Sequence, residues 1–447
     1  MVTINRREWA FAGLAALLLI ATLWATGWTS PWITLDTPSY LEVRPFPDFY
    51  FAPRLPFYGW FVAMLAGTEL GYAPVIWAQV LLHTIAAVSL YASVRSLGTA
   101  NATASALFLA ALCSQAFLIY GRGIVPESSA ISFALIAIAA TLAAASDARW
   151  ALLAVGAGCS AAAAYMLRPA FVLLIVTLPL LLLLARRLRF QSWTLRRAVV
   201  LLAAASLPLA LHAGLRMRYT HDFNIAAYGG FQSSGMAGLM LSPSVVERLP
   251  AEDRDLATQI LAARTRAEAQ GRVIPTPENS TGQRSFASAA AGYFDIYART
   301  YDALLHDEIE RLQRPEESWV EFDHRLGRLT LATVRAAPLD YAAWLVGASA
   351  RLVGRMLVTN GPFVLACIGL FAALLWALRR PESIRSLDRA PDILLLVLVV
   401  GIYIVAAAPM GVLLTFPAAR YIDTSAILLP ALPLYAAFHL VEALRKA

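Results

Sequence analysis

The chain has 447 residues, of which 59% are hydrophobic and only 15% charged, and its mean hydropathy is +0.62. A soluble protein of this size carries about a quarter charged residues, so the composition excludes an ordinary soluble domain. The net charge of +7 comes almost entirely from arginine, and Lys446 is the only lysine. No basic arm with interleaved aromatics is present, so this charge indicates membrane topology rather than nucleic-acid binding.

Apolar stretches long enough to cross the hydrocarbon core as helices recur along the chain. They predict an all-α fold, a polytopic membrane bundle of about ten transmembrane helices. The predicted spans cover residues 9–27, 74–94, 101–119, 128–146, 150–167, 169–185, 198–215, 361–378, 392–409 and 421–442.

Two regions between spans are long, residues 28–73 and residues 216–360. In the first, the segment 57–71 is apolar but short and is interrupted by Gly71, so it predicts a helix lying at the membrane interface. The second carries the most charge in the protein and predicts a helical insertion.

Helical spacing of apolar residues within this insertion predicts helices over 251–270, 285–312 and 338–356. The domain prediction has three parts: a transmembrane module 1–215 that includes the first outer loop, the insertion 216–360, and C-terminal transmembrane helices 361–447.

Arginine clusters orient the bundle, because cytoplasmic loops carry the excess of basic residues. One set of loops holds Arg6, Arg7, Arg95, Arg149, the runs 186–197 and 379–389, and Arg445 with Lys446. This side is predicted to be cytoplasmic, so both termini are expected inside and the two long regions outside.

Arginines at the predicted outer ends of spans are disfavoured by this rule, so their presence there indicates a functional role. They are Arg44, Arg54, Arg122, Arg168 and Arg420. A guanidinium binds phosphate oxygens in a fork, so together they predict a site for an anionic lipid head group, while any single one is also explained by snorkelling to the membrane surface or by pairing with a nearby acid. The phosphate candidates are Arg54, Arg122, Arg168 and Arg420.

Acids on the same side are candidates for proton transfer. Asp36 lies just beyond the first span, where a carboxylate can accept a proton from an attacking hydroxyl or amine. The alternative is a turn residue, because Asp-Thr-Pro-Ser is also good turn chemistry. Glu127 is expected to bind sugar hydroxyls or to orient Arg122.

Five short motifs, in this order, resemble those of a known family. They are Asp36-Thr-Pro-Ser-Tyr40, the stretch R-x-P-x-Y-x-x-F from Arg54 to Phe61, Pro126-Glu127, Arg168-Pro169 and Arg420-Tyr421. The pattern resembles the GT-C integral-membrane glycosyltransferases, and more narrowly the bacterial branch related to the dolichyl-phosphate-mannose protein mannosyltransferases and the lipid A aminoarabinose transferases.

The resemblance implies an enzyme of the bacterial inner membrane whose active site faces the periplasm. Such enzymes pass a sugar from a polyprenyl-phosphate carrier to an envelope glycan, lipid or protein. The family's presumed base maps onto Asp36 and its assisting acid onto Asp48, while Tyr40, Tyr58 and Tyr421, which lie in the matching motifs, are candidates for binding the sugar or the acceptor. Thr37 departs from the Asp-Glu pair of many relatives, which puts a second adjacent acid in doubt.

Cofactor-binding motifs are absent from the sequence, and their absence bears on the cofactor prediction. No phosphate-binding loop, dinucleotide fingerprint or metal-ligand spacing is present, so no cofactor is predicted, although a divalent cation is left open because some relatives need one. A sugar phosphate already has a good leaving group, so one base and a cationic clamp are expected to suffice without a strong general acid. Direct attack on the anomeric carbon would invert its configuration.

Two other functions fit the same residues. A transporter or flippase for a lipid-linked sugar would carry ionisable or broken-helix sites near the midplane, whereas these spans are nearly free of charge. A polymerase or ligase that uses a diphosphate-linked glycan would share the arginines without needing a base at Asp36.

Overall fold

The computed structural model describes residues 6–28, 30–34, 36–66, 71–188, 195–274, 290, 299–378, 390–413 and 419–446. These residues form helices joined by turns and contain no β-strand; a single isolated bridge pairs Trp32 with Gly123. The predicted all-α class of a polytopic helical bundle is confirmed.

Seven helical segments of the described chain are long and apolar enough to cross a membrane. They are Glu8–Ala25, Ala73–Ser96, Asn101–Tyr120, Glu127–Ser146, Trp150–Leu167, Pro169–Leu188 and Leu195–Thr220, and they are called the first to seventh spans below. Each overlaps the span predicted at that place. The third contains a break between Leu112 and Gln115, and the sixth opens with a tight turn over Pro169–Leu173.

The last three predicted spans take other forms. The helix Pro338–Val358 meets the helix that follows from Gly361 at a bend of 58°, and only together do they reach an eighth candidate span. The ninth prediction corresponds to a shorter apolar helix, Pro391–Ala407. The prediction of one continuous helix over 421–442 is wrong.

That last segment forms two helices, Ala419–Ser425 and Ala431–Lys446. Pro430 and Pro433 lie at the start of the second helix. A proline lacks the amide hydrogen that a helix interior needs and disfavours helix in the residue before it, so hydropathy alone cannot predict the break.

Small residues let the spans pack closely. The fourth span is the most buried of them and contacts the second, fifth and sixth spans. Gly158 allows the fifth span to approach the seventh, since a Cβ at this position would lie 2.6 Å from the backbone carbon of Ala204. The resulting core holds the turns at the ends of these helices in fixed positions.

The short helix of the first outer loop covers Phe57–Ala66 within the predicted interfacial segment. Its inner face buries Tyr58, Gly59 and Val62, while Met64 is exposed on the opposite face. This apolar helix therefore packs against the rest of the protein on one face only.

The insertion has its own core. Its helices cover Gly229–Met240, Pro243–Arg248, Ala251–Ala269, Trp319–Ala336 and Pro338–Val358. Two of the three predicted helices are confirmed. Of the third, 285–312, the residues 285–289 and 291–298 lie outside the described part of the chain, and its described end is helical and contains a π-helical turn, Ala303–Ile309. Ser318 and Glu321 begin Trp319–Ala336 with a capping box, in which two otherwise unpaired amides are satisfied reciprocally.

The core of the insertion also includes residues from the C-terminal part of the chain. Ala408, Val412 and Ile422 are buried in the same cluster as Phe231 and Trp344. This contact places the helix that carries Arg420 beside the insertion, and it brings together parts of the chain that are far apart in sequence. The predicted domain boundaries stay predictions.

Candidate active site

A cavity of about 240 Å³ lies between the first outer loop, the ends of the fourth and fifth spans, the insertion and the helix Ala419–Ser425. Six of the sequence-predicted site residues line it: Tyr40, Arg54, Glu127, Arg168, Arg420 and Tyr421. The insertion adds a wall formed by residues 224–226, 228 and 229 together with Gln232.

Asp36 sits at the N-terminus of the short helix Thr37–Leu41. Two contacts fix this part of the loop: the Trp32–Gly123 bridge, and a hydrogen bond from the Thr37 hydroxyl to the Ile124 carbonyl at 3.1 Å. They tie the first outer loop to the turn that precedes the fourth span, so Asp36 is held at the edge of the cavity.

Both carboxylate oxygens of Asp36 meet cations that line the cavity. Oδ1 lies 3.4 Å from Nη2 of Arg54, and Oδ2 forms an ion pair with Nη1 of Arg420. Partial burial alone would raise the pKa of Asp36, but Arg420 and Arg54 hold it below its ordinary value of 3.8. The carboxylate is therefore ionised and able to accept a proton.

Arg54 is clamped by aromatic groups. Its guanidinium carbon lies 4.6 Å from the centroid of the Tyr40 ring and 4.6 Å from that of Tyr228, and Nη1 donates to the Tyr40 hydroxyl at 3.0 Å. Burial raises the pKa of Tyr40 to about 12, so this phenol stays neutral and serves as an acceptor.

Glu127 and Arg168 form a buried ion pair on another wall. The Oε1–Nη1 distance is 2.9 Å, and the side chains are 3% and 8% exposed. Glu127 opens the fourth span, where a carboxylate is favoured by the helix dipole. The expectation that Glu127 orients Arg122 is wrong, because its cationic partner is Arg168.

The second oxygen of Glu127, Oε2, is buried and makes no hydrogen bond within the described part of the chain. A buried carboxylate oxygen without a donor is costly, and in native structures such a group calls for a specific explanation. Since Glu127 lines the cavity, a hydroxyl or amine donor inside the cavity would satisfy it.

Arg420 and Tyr421 come from the first half of the interrupted last segment. The ring of Tyr421 lies 4.8 Å from the guanidinium carbon of Arg168 and 5.5 Å from that of Arg420. The helix is anchored from behind by Asp423, which accepts from Gln115 at 2.9 Å. Tyr421 thus contacts two guanidinium groups, that of Arg420 on its own helix and that of Arg168 at the end of the fifth span.

Tyr58 lies behind the cavity. It is buried, contacts the edge of Tyr40 with ring centroids 6.1 Å apart, and donates to Gln79 at 3.2 Å. Gln79 in turn donates to the carbonyls of Gly121 and Gly123. Tyr58 is therefore placed to support Tyr40 and does not line the cavity.

Two predicted site residues stand apart. Asp48 begins a short turn in which Phe49 and Tyr50 are buried, so its own side chain is exposed. The backbone carbonyl of Arg122 accepts from the Trp32 amide, and the Arg122 side chain is exposed. Neither residue lines the cavity, because in each case the neighbours rather than the charged side chain turn inward.

Sequence reasoning missed the residues of the insertion wall, above all Tyr228 and Gln232. Tyr228 precedes Gly229-Gly230 at the start of a helix, but nothing in that pattern shows that its ring faces Arg54, 174 residues earlier. The structure alone brings these two segments together.

Charge in the cavity favours an anion. Arg54, Arg168 and Arg420 face the carboxylates of Glu127 and Asp36, which leaves an excess of one positive charge. Asp36 and Arg420 are only partly exposed, so this charge is screened less than on an open surface. Among the residues that the structure describes, no group of three or more His, Cys, Asp or Glu is arranged to hold a metal ion.

The fold and the site together define the class of this protein. It is a polytopic helical bundle with a cationic cavity at the ends of its spans. Residues 51–212, about a third of the chain, match the family model described as dolichyl-phosphate-mannose-protein mannosyltransferase. This match confirms the resemblance to GT-C membrane glycosyltransferases and supports a membrane glycosyltransferase of that type. It includes Arg54, Glu127 and Arg168 but not Asp36 or Arg420. No curated protein and no solved structure matches significantly.

Proposed function

We propose that this protein transfers a sugar from a polyprenyl-phosphate carrier to an envelope glycan, lipid or protein on the periplasmic face of the bacterial inner membrane. One observation carries the proposal: the ionised carboxylate of Asp36 lies against two arginines of a cationic cavity. An acid and a phosphate clamp at one point are what a direct displacement requires.

In the proposed reaction Arg420, Arg54 and Arg168 hold the phosphate of the donor. The acceptor hydroxyl or amine attacks the anomeric carbon and loses its proton to Asp36. The bond between that carbon and the phosphate oxygen breaks, its electron pair stays on the phosphate, and the polyprenyl phosphate leaves. A single displacement inverts the anomeric configuration, and Glu127 Oε2 accepts a hydrogen bond from the sugar.

The test compares two acids of the same loop, Asp36→Asn and Asp48→Asn, in nanodiscs. Turnover of undecaprenyl-phosphate sugars in the presence of envelope lipid extract should fall by about 10²–10⁴ in Asp36→Asn, the usual contribution of a general base. Asp48→Asn should turn over like wild type, since Asp48 is exposed and away from the cavity.

A measurement of donor binding distinguishes the loss of the general base from the loss of the arginines that hold the phosphate. Asp36→Asn should bind undecaprenyl phosphate at least as tightly as wild type, because Arg54 and Arg420 lose a competing carboxylate. Retained transfer in a well-folded Asp36→Asn protein would sink the assignment of the base.

Transport of a lipid-linked sugar is the second candidate. The interrupted last segment favours it, because broken helices with buried polar side chains form many transporter sites. Asp423 is buried at this break and is held by Gln115. Flipping of a fluorescent lipid-linked sugar across liposomes, without loss of the sugar from its carrier, would favour this candidate over transfer.

A further inference from the structure

Arg54 is held by two aromatic rings that come from distant parts of the chain. Tyr40 belongs to the first outer loop and Tyr228 to the insertion, and both ring centroids lie 4.6 Å from the guanidinium carbon. Cation–π contacts of this kind are strongest where the cation is withdrawn from water. Nη2 is directed to Asp36, so the rings fix the plane in which Arg54 offers its donors.

Polar contacts of the buried Arg216 and of Asp222 seat the insertion against the first outer loop. Arg216, near the end of the seventh span, donates to the Tyr50 carbonyl at 2.6 Å and to Asp222 at 3.0 Å. Asp222 also lies 2.9 Å from Nε2 of His324, on the helix Trp319–Ala336. Because Arg216 is 1% exposed, its contacts with Tyr50 and Asp222 are shielded from solvent. Removing Asp222 would leave the charge of Arg216 buried and uncompensated, which is strongly destabilising.

The start of the helix Gly229–Met240 is fixed by the helix Trp319–Ala336, which also carries His324. The amide of Phe231 donates to Oδ1 of Asp323 at 2.7 Å. Gly230 permits this approach, since a Cβ there would collide with the backbone oxygen of Asp323. Tyr228, directly before this helix, is thereby placed at the cavity.

The ring of Tyr228 is also oriented from within the insertion. It lies parallel to Trp319, with centroids 6.2 Å apart and an interplanar angle of 25°. Its hydroxyl hydrogen-bonds the side chain of Gln232, which accepts from the Tyr301 hydroxyl. A ring supported on two sides has little freedom to turn away from Arg54.

We propose that Tyr228 is a positioning residue that holds the Arg54 guanidinium in place for the donor phosphate, so that the insertion completes the donor site; this inference rests on the proposed function. An arginine on a flexible side chain must be ordered each time it binds, and a second ring removes that requirement in advance. The insertion is then more than an acceptor-binding region, because the donor clamp is incomplete without it.

The experiment measures the affinity for undecaprenyl phosphate in nanodiscs and the steady-state constants for an undecaprenyl-phosphate sugar. Tyr228→Leu should weaken phosphate binding about tenfold, the loss expected for one shielded cation–π contact. The donor KM should rise with kcat nearly unchanged, because the contact is made equally in the ground state and the transition state. Tyr228→Phe keeps the ring face and should restore most of the affinity.

Tyr341→Leu is the matched control, since Tyr341 lies in the insertion but does not line the cavity. It should bind like wild type. A fall of kcat with unchanged donor KM in Tyr228→Leu, or no rescue by Tyr228→Phe, would overturn the inference.

Arg54→Gln separates the two proposals. If Arg54→Gln weakens binding and Tyr228→Leu does not, the positioning role fails while the proposed phosphate clamp stands. If Arg54→Gln binds undecaprenyl phosphate like wild type, the clamp itself fails. In the double variant, Tyr228→Leu should add nothing to Arg54→Gln, because the ring acts through the guanidinium; additive losses would contradict this.

Discussion

The buried pair Glu127–Arg168 makes the sharpest prediction on stability. The two side chains are only 3% and 8% exposed and their charged atoms lie 2.9 Å apart. Removing one member of such a pair leaves an uncompensated buried charge, which costs about 3–5 kcal/mol. Glu127→Gln and Arg168→Gln should each lower the free energy of unfolding by about this amount, while the double variant should lose much less than the sum of the two.

Arg44→Gln supplies the comparison. Arg44 pairs with Glu42 at 2.7 Å, but the two side chains are 40% and 57% exposed. Solvent screening reduces such a pair to about 0–1 kcal/mol, so this variant should unfold like wild type.

The assay is unfolding of the purified protein in mixed micelles with a graded fraction of sodium dodecyl sulfate, followed by tryptophan fluorescence. All four variants are measured under identical conditions. If Glu127→Gln costs no more than Arg44→Gln, or if the two single losses simply add in the double variant, the reasoning that this pair is buried and coupled is refuted.

Three more predictions follow from the site and its supports. Gly230→Ala should destabilise the protein by about 1–3 kcal/mol through a backbone collision, whereas Gly229→Ala, with open space at its Cβ, should not; unfolding curves compare them. Burial raises the pKa of Asp323 to about 6, so the native state holds a proton that the unfolded state has released. Stability should therefore fall as the pH rises from about 4 to about 6 and then level off, and Asp323→Asn should remove this decline; parallel profiles would contradict it. Burial by itself raises the pKa of Asp36 and Arg420 lowers it, so Arg420→Gln should move the acid limb of kcat/KM to higher pH, an outcome that an unchanged pH profile would exclude.

Much of the bundle follows from the sequence because hydrophobic length is a strong signal. The first seven spans coincide with apolar stretches, and the helix over 251–270 follows from its spacing. The interrupted last segment is different. Its composition is apolar throughout, and the break depends on Pro430 and Pro433 and on the buried contacts of Asp423.

The candidate site, too, follows only in part from the sequence. Arg54, Arg168 and Arg420 stand out in the sequence because arginine is disfavoured at the ends of spans that are predicted to be outer, and the structure brings them to one cavity. Arg122 carries the same signal, and the family resemblance points to Asp48, but both side chains are exposed and do not line the cavity, since which side of a turn a side chain occupies depends on its neighbours. Tyr228 carries no local signal, because its role depends on a contact with Arg54 across the fold.

Under the proposed mechanism the same cations serve the base and the leaving group. Arg420 and Arg54 pair with Asp36 in the structure, and the donor phosphate would compete for both guanidinium groups. Each contact that an arginine makes with the phosphate weakens its hold on the carboxylate, and a carboxylate that loses a cationic partner becomes more basic. Donor binding and the basicity of Asp36 are therefore linked, so that the base is strongest when a sugar phosphate is in place. An acceptor that enters a site without donor meets a carboxylate whose two oxygens are still paired with Arg54 and Arg420.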